Sequence, residues 1–371
     1  MKARSKLPGK VVMLDCGTES IAYFEQKRHE SLARMIAELK GYEFAGEYDP
    51  KCDGTAGLYF VPHQTLIGMD FAAKLGIHTA DHLFGGVVPR WFLATKAPVH
   101  GLITSDANKP AGWEAGFTSS IADHLLPGYT AFSRQDAYDA GMRLLECGPI
   151  RLKDVFAAGG KGQTVARSAA ELEAALAQLT TRLSSQWAAV IELNLEDITT
   201  YSIGQIYMEG LTVSYWGTQR VTVDNSGDLA YGGSDLNLVR GGFDEAGAIA
   251  PTVEAKRAVE AAKAFDCAAQ AQYPEIFASR RNYDVGQGHD AHGVFRSGVL
   301  DQSWRIGGAS GVEIAALRVF KDRRDLSFMR ASAFNVYGAD AVVPPEAIVH
   351  FHGVDDAFGP MLMYTLIAEL R

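Results

Sequence analysis

The chain has 371 residues, of which 47% are hydrophobic and 21% charged, and its formal net charge at pH 7 is -9. This length exceeds the size at which one hydrophobic core usually stops growing, so we expect two or three subdomains, and the composition excludes a largely disordered chain. The acidic balance argues against nucleic acid as a partner, because like charges repel the phosphate backbone.

The first 95 residues alternate between strand and helix patterns, which predicts an α/β N-terminal domain over residues 1–95. Its predicted elements are strands at 10–14 and 58–61 and helices over 30–39 and 65–75. Gly41 and Gly76 supply the helix stops. Residues 85–128 are rich in Gly, Pro, Trp and His, and we expect a linker region there with one helix.

Residues 96–371 form the second predicted region, divided into a subdomain over 126–200 and another over 201–371. A turn at Glu209-Gly210 joins two of its strands. Residues 231–235 suggest a loop, and Pro360 suits the first position of a last helix. The predicted helices are 134–145, 169–183, 252–265, 311–320 and 360–370. The predicted strands are 150–152, 163–167, 188–192, 202–208, 211–223, 294–302 and 347–351.

Four widely spaced cysteines form no CxxC pair, which argues against a zinc knuckle or a disulfide framework and fits a reducing cytoplasm. The basic first ten residues are followed by an apolar run far too short for a signal sequence. No apolar run approaches the roughly 20 residues that span a bilayer. We therefore expect a cytoplasmic protein without a membrane partner, and a homodimer as the commonest closed assembly.

A glycine-rich loop follows a predicted strand that carries Lys153. The loop contains Gly159, Gly160, Lys161 and Gly162. Glycine lets several backbone N–H groups approach one phosphate, and the two lysines can neutralise its charge. The loop is not a Walker A motif, since no GKS or GKT ending is present, and it does not match GxGxxG. A glycine-rich turn without a ligand is the alternative interpretation.

Two acidic segments near the C-terminal end suggest a Mg²⁺ site. Asp301 and Ser303 alternate on one face of a predicted strand, and Asp284 precedes them. Mg²⁺ prefers hard oxygen ligands, often one or two carboxylates together with phosphate oxygens. The alternative is a buried strand followed by a Gly-Gly turn, with Arg305 in a structural ion pair.

These segments, in this order, resemble the ATP-grasp superfamily. Residues 152–172 are similar to the lysine strand, glycine flap and following helix of biotin carboxylases and related ligases, and residues 190–194 to the hinge that holds adenine. The resemblance implies an ATP-grasp fold preceded by an N-terminal α/β domain, with ATP and Mg²⁺ as cofactors. It implies that Lys153 contacts the α- and β-phosphates beneath the loop. The implied base-binding residues are Glu192, Leu193, Asn194 and Leu195, with Glu196 near the ribose.

The metal strand resembles the Glu-x-Asn-x-Arg pattern of the superfamily. In this chain Asp301 replaces the glutamate and Ser303 the asparagine, so both oxygen ligands are kept with a shorter reach. Asp284 resembles the earlier acidic ligand, with Asp290 as its rival. Arg305 resembles the arginine that stabilises the transferring phosphate or the acyl phosphate.

Other residues are also candidates for binding ATP, a substrate or a metal. Lys96 is a candidate for the first ATP lysine, with Lys109 as its rival, and either could be a surface lysine. Arg220 ends an aromatic strand and could hold a substrate carboxylate bidentately. The histidines of residues 289–292 and 350–352 lack a third metal ligand at a suitable spacing.

Residues 126–130, 215–219 and 302–308 resemble a bacterial family whose members carry a biotin-carboxylase-like label. The chain has no biotinyl Met-Lys-Met acceptor and is shorter than a biotin carboxylase. We therefore expect an ATP-dependent ligase that converts a small-molecule carboxylate into an acyl phosphate for attack by an amine or another nucleophile. The alternatives are a kinase or carboxylase with the same fold, or a catalytically silent ATP-binding module.

Overall fold

The computed structural model describes residues 9–16, 21–51, 54–157, 161–179 and 186–371, and the statements below concern these residues. The fold is mixed α/β. The first elements are β1 (Lys10–Leu14), α1 (Tyr23–Lys40), β2 (Glu43–Glu47), β3 (Leu58–Pro62), β4 (Leu66–Ile67), α2 (Met69–Lys74) and β5 (Gly86–Val88). β1 lies between β2 and β3 in a parallel sheet, where its apolar run is buried on both faces.

The predicted strands at 10–14 and 58–61 are confirmed, and the predicted helix over 30–39 is the C-terminal part of α1. α1 ends at Gly41, whose φ of 65° places it in the left-handed conformation typical of a helix stop. The prediction of a helix over residues 65–75 is wrong for the first turn. Leu66 and Ile67 pair with β5 as β4, and Gly68, with φ of 96°, separates them from α2.

A second unit follows, in which α4 and α5 pack together over a four-stranded antiparallel sheet of order β6-β9-β7-β8. Ser133 and Ser168 accept backbone hydrogen bonds at the starts of α4 and α5. The elements are α3 (Ala115–Ser120), β6 (Gly128–Ala131), α4 (Arg134–Leu145), β7 (Ile150–Asp154), β8 (Gln163–Ala166), α5 (Ala169–Gln178) and β9 (Ala189–Leu193). The end of the helix predicted over 169–183 falls outside the described residues.

The largest unit is an eight-stranded sheet of order β15-β14-β10-β11-β12-β16-β18-β17. Glu209 and Gly210 form the predicted turn between β10 and β11, both with positive φ. The elements are β10 (Glu196–Met208), β11 (Leu211–Val223), β12 (Leu229–Arg240), α6 (Phe243–Ala248), α7 (Val253–Gln272), β13 (Phe277–Ala278), β14 (Arg280–His289), β15 (Phe295–Ser303), α8 (Ser310–Asp322), β16 (Phe328–Tyr337), β17 (Ile348–Asp355) and β18 (Gly359–Leu370).

Two predictions for this sheet are wrong. Residues 360–370 form strand β18, not a helix, and β18 is hydrogen-bonded between β16 and β17. Met361 to Thr365 are all buried, and such a continuous apolar run shows no period that separates a strand from a helix. Residues 231–235 belong to β12, not to a loop, because β11 and β16 supply hydrogen-bond partners on both sides.

Both faces of the large sheet are covered. Alternate strand residues such as Ile206 and Tyr215 pack with α1 and α8 in one core. Ile203 and Tyr283 belong to a second core together with α6 and α7. In the described part of the chain no helix is long and apolar enough to cross a membrane.

Candidate functional site

Two carboxylates lie side by side on β14 and β15. Asp284 is directly opposite Asp301 in the antiparallel register. Tyr283 and Val285 point into the core around α7, so Asp284 between them points to the other face of the sheet. Gln219 reaches across from β11 and donates a hydrogen bond to Asp284 Oδ1 at 2.8 Å. The sheet therefore brings together two acidic residues that lie well apart in the sequence.

The two carboxylates repel each other, and nearby cations offset this repulsion only in part. Burial, together with the charge of Asp301, raises the pKa of Asp284 to about 6, although the hydrogen bond from Gln219 opposes the shift. Within the described residues no group of three or more His, Cys, Asp or Glu side chains could hold a metal ion. Two carboxylates are nevertheless the protein share that a Mg²⁺ ion commonly receives, with water and phosphate oxygens completing the shell.

Lys96 joins this pair to the four-stranded sheet. Its Nζ lies 3.4 Å from Asp301 Oδ2 and also donates to the carbonyl oxygen of Ala157, close to the glycine loop. Its backbone N–H donates to Val155 O at 3.1 Å. The rival Lys109 is exposed, and its Nζ contacts only the Ser105 carbonyl among the hydrogen bonds of the described residues, at 3.1 Å. The geometry therefore favours Lys96 over Lys109 as a site residue.

Lys153 belongs to a buried triad. Its Nζ lies 2.5 Å from Glu192 Oε1, and His100 Nε2 lies 3.0 Å from Glu192 Oε2. Burial opposes ionisation of Glu192, but Lys153 and His100 outweigh it, so the pKa of this carboxyl is lowered. Glu192, expected to offer its backbone to adenine, thus also holds a lysine. Sequence reasoning missed His100, although a histidine four residues after Lys96 was an available signal.

The expected base-binding stretch is partly engaged within the protein. The N–H groups of Leu193 and Asn194 donate to the carbonyl oxygens of Pro127 and Pro149, at 3.0 and 2.9 Å. The backbone N–H groups of these two residues are therefore already engaged within the protein. Leu195 is buried, and Glu196 begins β10 with an exposed side chain. The assignment of residues 192–196 to a base stays a prediction.

The glycine loop is described only at its end. Gly159 and Gly160 lie outside the described residues. Gly162 has a φ of 66° and accepts a hydrogen bond from Asp154 N–H at 2.9 Å. Lys161 Nζ lies 4.6 Å from the centre of the Phe358 ring, so the loop end approaches the β17–β18 turn.

Two other candidates, Arg220 and Ser303, have protein partners. Arg220 donates to Asp235 Oδ1 and to the carbonyl oxygen of Ala333, so its guanidinium is engaged within the sheet. Ser303 Oγ accepts a hydrogen bond from Arg280 at 3.2 Å. These contacts argue against Arg220 as a free substrate clamp and against Ser303 as a free metal ligand.

The rival Asp290 lies in the β14–β15 turn. It pairs with Arg296 at 2.9 Å and accepts N–H groups of His292 and Val294. Asp284, not Asp290, therefore faces Asp301. Arg305 is half-buried, and its Nη1 donates to the Ile306 carbonyl at 3.1 Å.

The topology and the comparisons define the class of protein: the chain has the ATP-grasp fold. Phosphoribosylamine–glycine ligase from Thermotoga maritima is similar at a TM-score of 0.55 and 14% identity, with 97% of this chain and 93% of that chain covered. Carboxyaminoimidazole ribonucleotide synthase from Aspergillus clavatus, solved with ATP, gives 0.49 and 12%, with 97% and 94% covered. At such identities the likeness concerns the fold alone.

The particular family is also established. The chain belongs to the family described as protein of unknown function (DUF3182), whose model matches residues 12–365. The comparison with curated proteins gives no match.

Proposed function

We propose that this protein is an ATP-dependent ligase that activates a small-molecule carboxylate as an acyl phosphate. The observation that carries the proposal is the pair of opposed carboxylates of Asp284 and Asp301. The ammonium of Lys96 contacts Asp301 and also donates to the carbonyl oxygen of Ala157, which lies beside the glycine loop. Two adjacent carboxylates beside a fixed cation suit a magnesium-bound triphosphate.

The residues divide into two groups in this proposal. Lys153 and the loop ending at Gly162 would hold the phosphates, with Lys153 kept in place by the buried carboxylate of Glu192. Asp284 and Asp301 would hold Mg²⁺. Bound there, Mg²⁺ would neutralise phosphate charge and leave the terminal phosphorus more open to attack.

Arg305 would stabilise the transferred phosphoryl group. The one hydrogen bond described for its guanidinium goes to a backbone carbonyl. A guanidinium has five N–H donors, so most of them stay available for a phosphate or carboxylate. Burial lowers the pKa of Arg305, yet a guanidinium is so strong a base that the group keeps its charge at neutral pH. It is therefore a fixed positive charge where negative charge would develop.

The proposed reaction has two steps. The substrate carboxylate oxygen attacks the γ-phosphorus of ATP, ADP leaves, and an acyl phosphate forms. An amine or another nucleophile then attacks the acyl carbon, and phosphate leaves. Lys153 and Lys96 offset the charge that builds on the phosphates.

A binding and turnover experiment tests the proposal. We expect Mg-ATP to raise the melting temperature of the protein, and pooled carboxylates with amines to cause ADP release. Lys96→Met should weaken Mg-ATP binding about 10-fold or more, since a charged contact contributes about 1.5–3 kcal/mol. Lys109→Met is the matched control and should bind Mg-ATP like the wild type.

The outcomes separate the alternatives. Binding of Mg-ATP without any ADP formation would favour a silent nucleotide-binding module. Absence of binding at millimolar Mg-ATP, or equal effects of the two lysine substitutions, would overturn the proposal.

A further inference from the structure

Arg28 lies on the face of α1 that packs against the large sheet. Phe24, one turn before it, contacts Phe358, and Ser31, three residues after it, lies 3.4 Å from His350 Nδ1. Residues three and four apart share one face of a helix, so Arg28 points the same way. Its Nε is buried and has no hydrogen-bond partner among the described residues. An arginine directed at the sheet without a partner needs an explanation.

The surroundings of Arg28 do not compensate its charge. Burial lowers the pKa of its guanidinium, and no ion pair for it is found in the described ranges of the chain. Glu25, Tyr231 and Tyr337 favour its charged form, whereas the charge of Arg280 opposes it. Glu25 is exposed, and Arg280 is a second cation whose own partner is Glu313 at 2.9 Å.

Arg305 likewise has no carboxylate contact among the described residues. Asp301 acts on its charge at longer range but contacts Lys96 instead. The neighbouring cations are paired: Lys96 with Asp301, Lys153 with Glu192, Arg220 with Asp235 and Arg280 with Glu313. Arg28 on α1 and Arg305 beyond β15 therefore stay without a carboxylate partner among the described residues.

Tyr231 links the surroundings of the two arginines, because it acts on the charge of Arg28 and packs against the segment that follows Arg305. Its ring covers Gly308, where an added Cβ would lie 2.6 Å from the ring, and its hydroxyl lies 2.7 Å from Ser234 Oγ. Gly308 lies next to Ala309, the N-cap residue of α8. Backbone N–H groups at the start of a helix favour an anion, which adds to the effect of the two arginines.

We propose that Arg28 and Arg305 bind the two anionic groups of one substrate, so that the accepted carboxylate carries a second carboxylate or a phosphate ester. The inference rests on the proposed function and names the substrate class of that site. Arg305 holds the carboxylate that receives the phosphoryl group. Arg28 holds the remote anionic group and determines specificity without touching the reacting atoms.

Binding of defined probes tests the inference. Succinate and glutarate represent dicarboxylates, phosphoglycolate represents a carboxylate with a phosphate ester, and propionate and butyrate are the monoanionic counterparts. Calorimetry on the full chain with Mg-ADP measures each affinity. We expect the wild-type protein to bind either the dicarboxylates or phosphoglycolate more tightly than the monocarboxylates. Arg28→Gln should lower the affinity for the preferred probe about 10- to 100-fold and leave the affinity for the monocarboxylates unchanged. Arg28→Lys should restore part of the loss.

Arg34→Gln is the matched control, because Arg34 lies on the same helix but pairs with Glu30 in solvent. It should bind every probe like the wild type. Equal affinity of wild type for monoanions and dianions, no dianion binding at millimolar concentration, or an equal loss of both classes in Arg28→Gln would overturn the inference. The two proposals fail separately. If Mg-ATP does not bind but Arg28→Gln still weakens dianions selectively, only the ligase proposal fails.

Discussion

Replacement of Asp284 by Asn distinguishes the effect of this carboxylate on the stability of the protein from its proposed role as a Mg²⁺ ligand. Asn keeps an oxygen that accepts the hydrogen bond from Gln219 but removes the charge that faces Asp301. The pKa of Asp284 is raised from 3.8 to about 6, so the folded state holds the proton more tightly than the unfolded chain does. The stabilisation due to this proton is complete below pH 3.8 and is lost as the pH rises through 6.

The magnitude follows from the pKa. A change from 3.8 to about 6 corresponds to roughly 3 kcal/mol, since each factor of ten in proton affinity is about 1.4 kcal/mol. Solvent near this half-buried carboxylate reduces the figure to about 1–2 kcal/mol. We expect Asp284→Asn to raise the free energy of unfolding by this amount at pH 8 without Mg²⁺. The advantage should shrink between pH 6 and pH 4.

Urea denaturation at several pH values measures the effect, and repeating it with Mg-ATP measures the metal site. Wild-type protein should gain more stability from Mg-ATP than the variant does, because ligand binding to the folded state adds to stability. Asp290→Asn, at the other end of the same hairpin, is the control. It should lower stability at pH 8, since its carboxylate pairs with Arg296. Destabilisation by Asp284→Asn at pH 8, or a difference that does not vary with pH, would refute the reasoning.

Two further substitutions test the fold around the site. Lys153→Met should lower the free energy of unfolding by about 3–5 kcal/mol in urea denaturation, because it leaves the buried carboxylate of Glu192 without its cation. Adding Glu192→Gln should recover part of that loss, and no recovery would contradict a direct coupling. Gly233→Ala should cost more than about 2 kcal/mol, because residue 233 has a φ of 121° and an added Cβ would lie 2.0 Å from Ala333 O. A melting temperature close to that of the wild type would show that this close approach is not essential.

The local features of the site were readable from the sequence. The strand with Lys153, the helix that starts after Ser168 and the alternation of Asp301 with Ser303 each depend on neighbours along the chain. The resemblance to the ATP-grasp pattern implied Asp284, with Asp290 as its rival, as the partner of Asp301, and the register of β14 and β15 places Asp284 opposite Asp301. Patterns with a period of two or 3.6 residues report such local structure well.

Partners distant in the sequence were not readable. The contact between His100 and Glu192 joins residues 92 positions apart, and the one between Arg220 and Ala333 joins residues 113 apart. A helix was predicted where β18 lies, because an apolar run does not reveal that β16 and β17 are its hydrogen-bonded neighbours in the sheet. The sequence pattern does not distinguish Arg28 from a surface residue, since an arginine on an amphipathic helix usually faces water.

The sequence by itself therefore determined which residues could carry charge, turn the chain or ligate a cation. Only the tertiary structure decided which charges neutralise one another. Strand pairing and helix packing set the distances between side chains, and the strength of a charge interaction depends on those distances and on burial. Lys153 and Arg220 acquire partners in this way, whereas Arg28 and Arg305 have no carboxylate partner among the described residues.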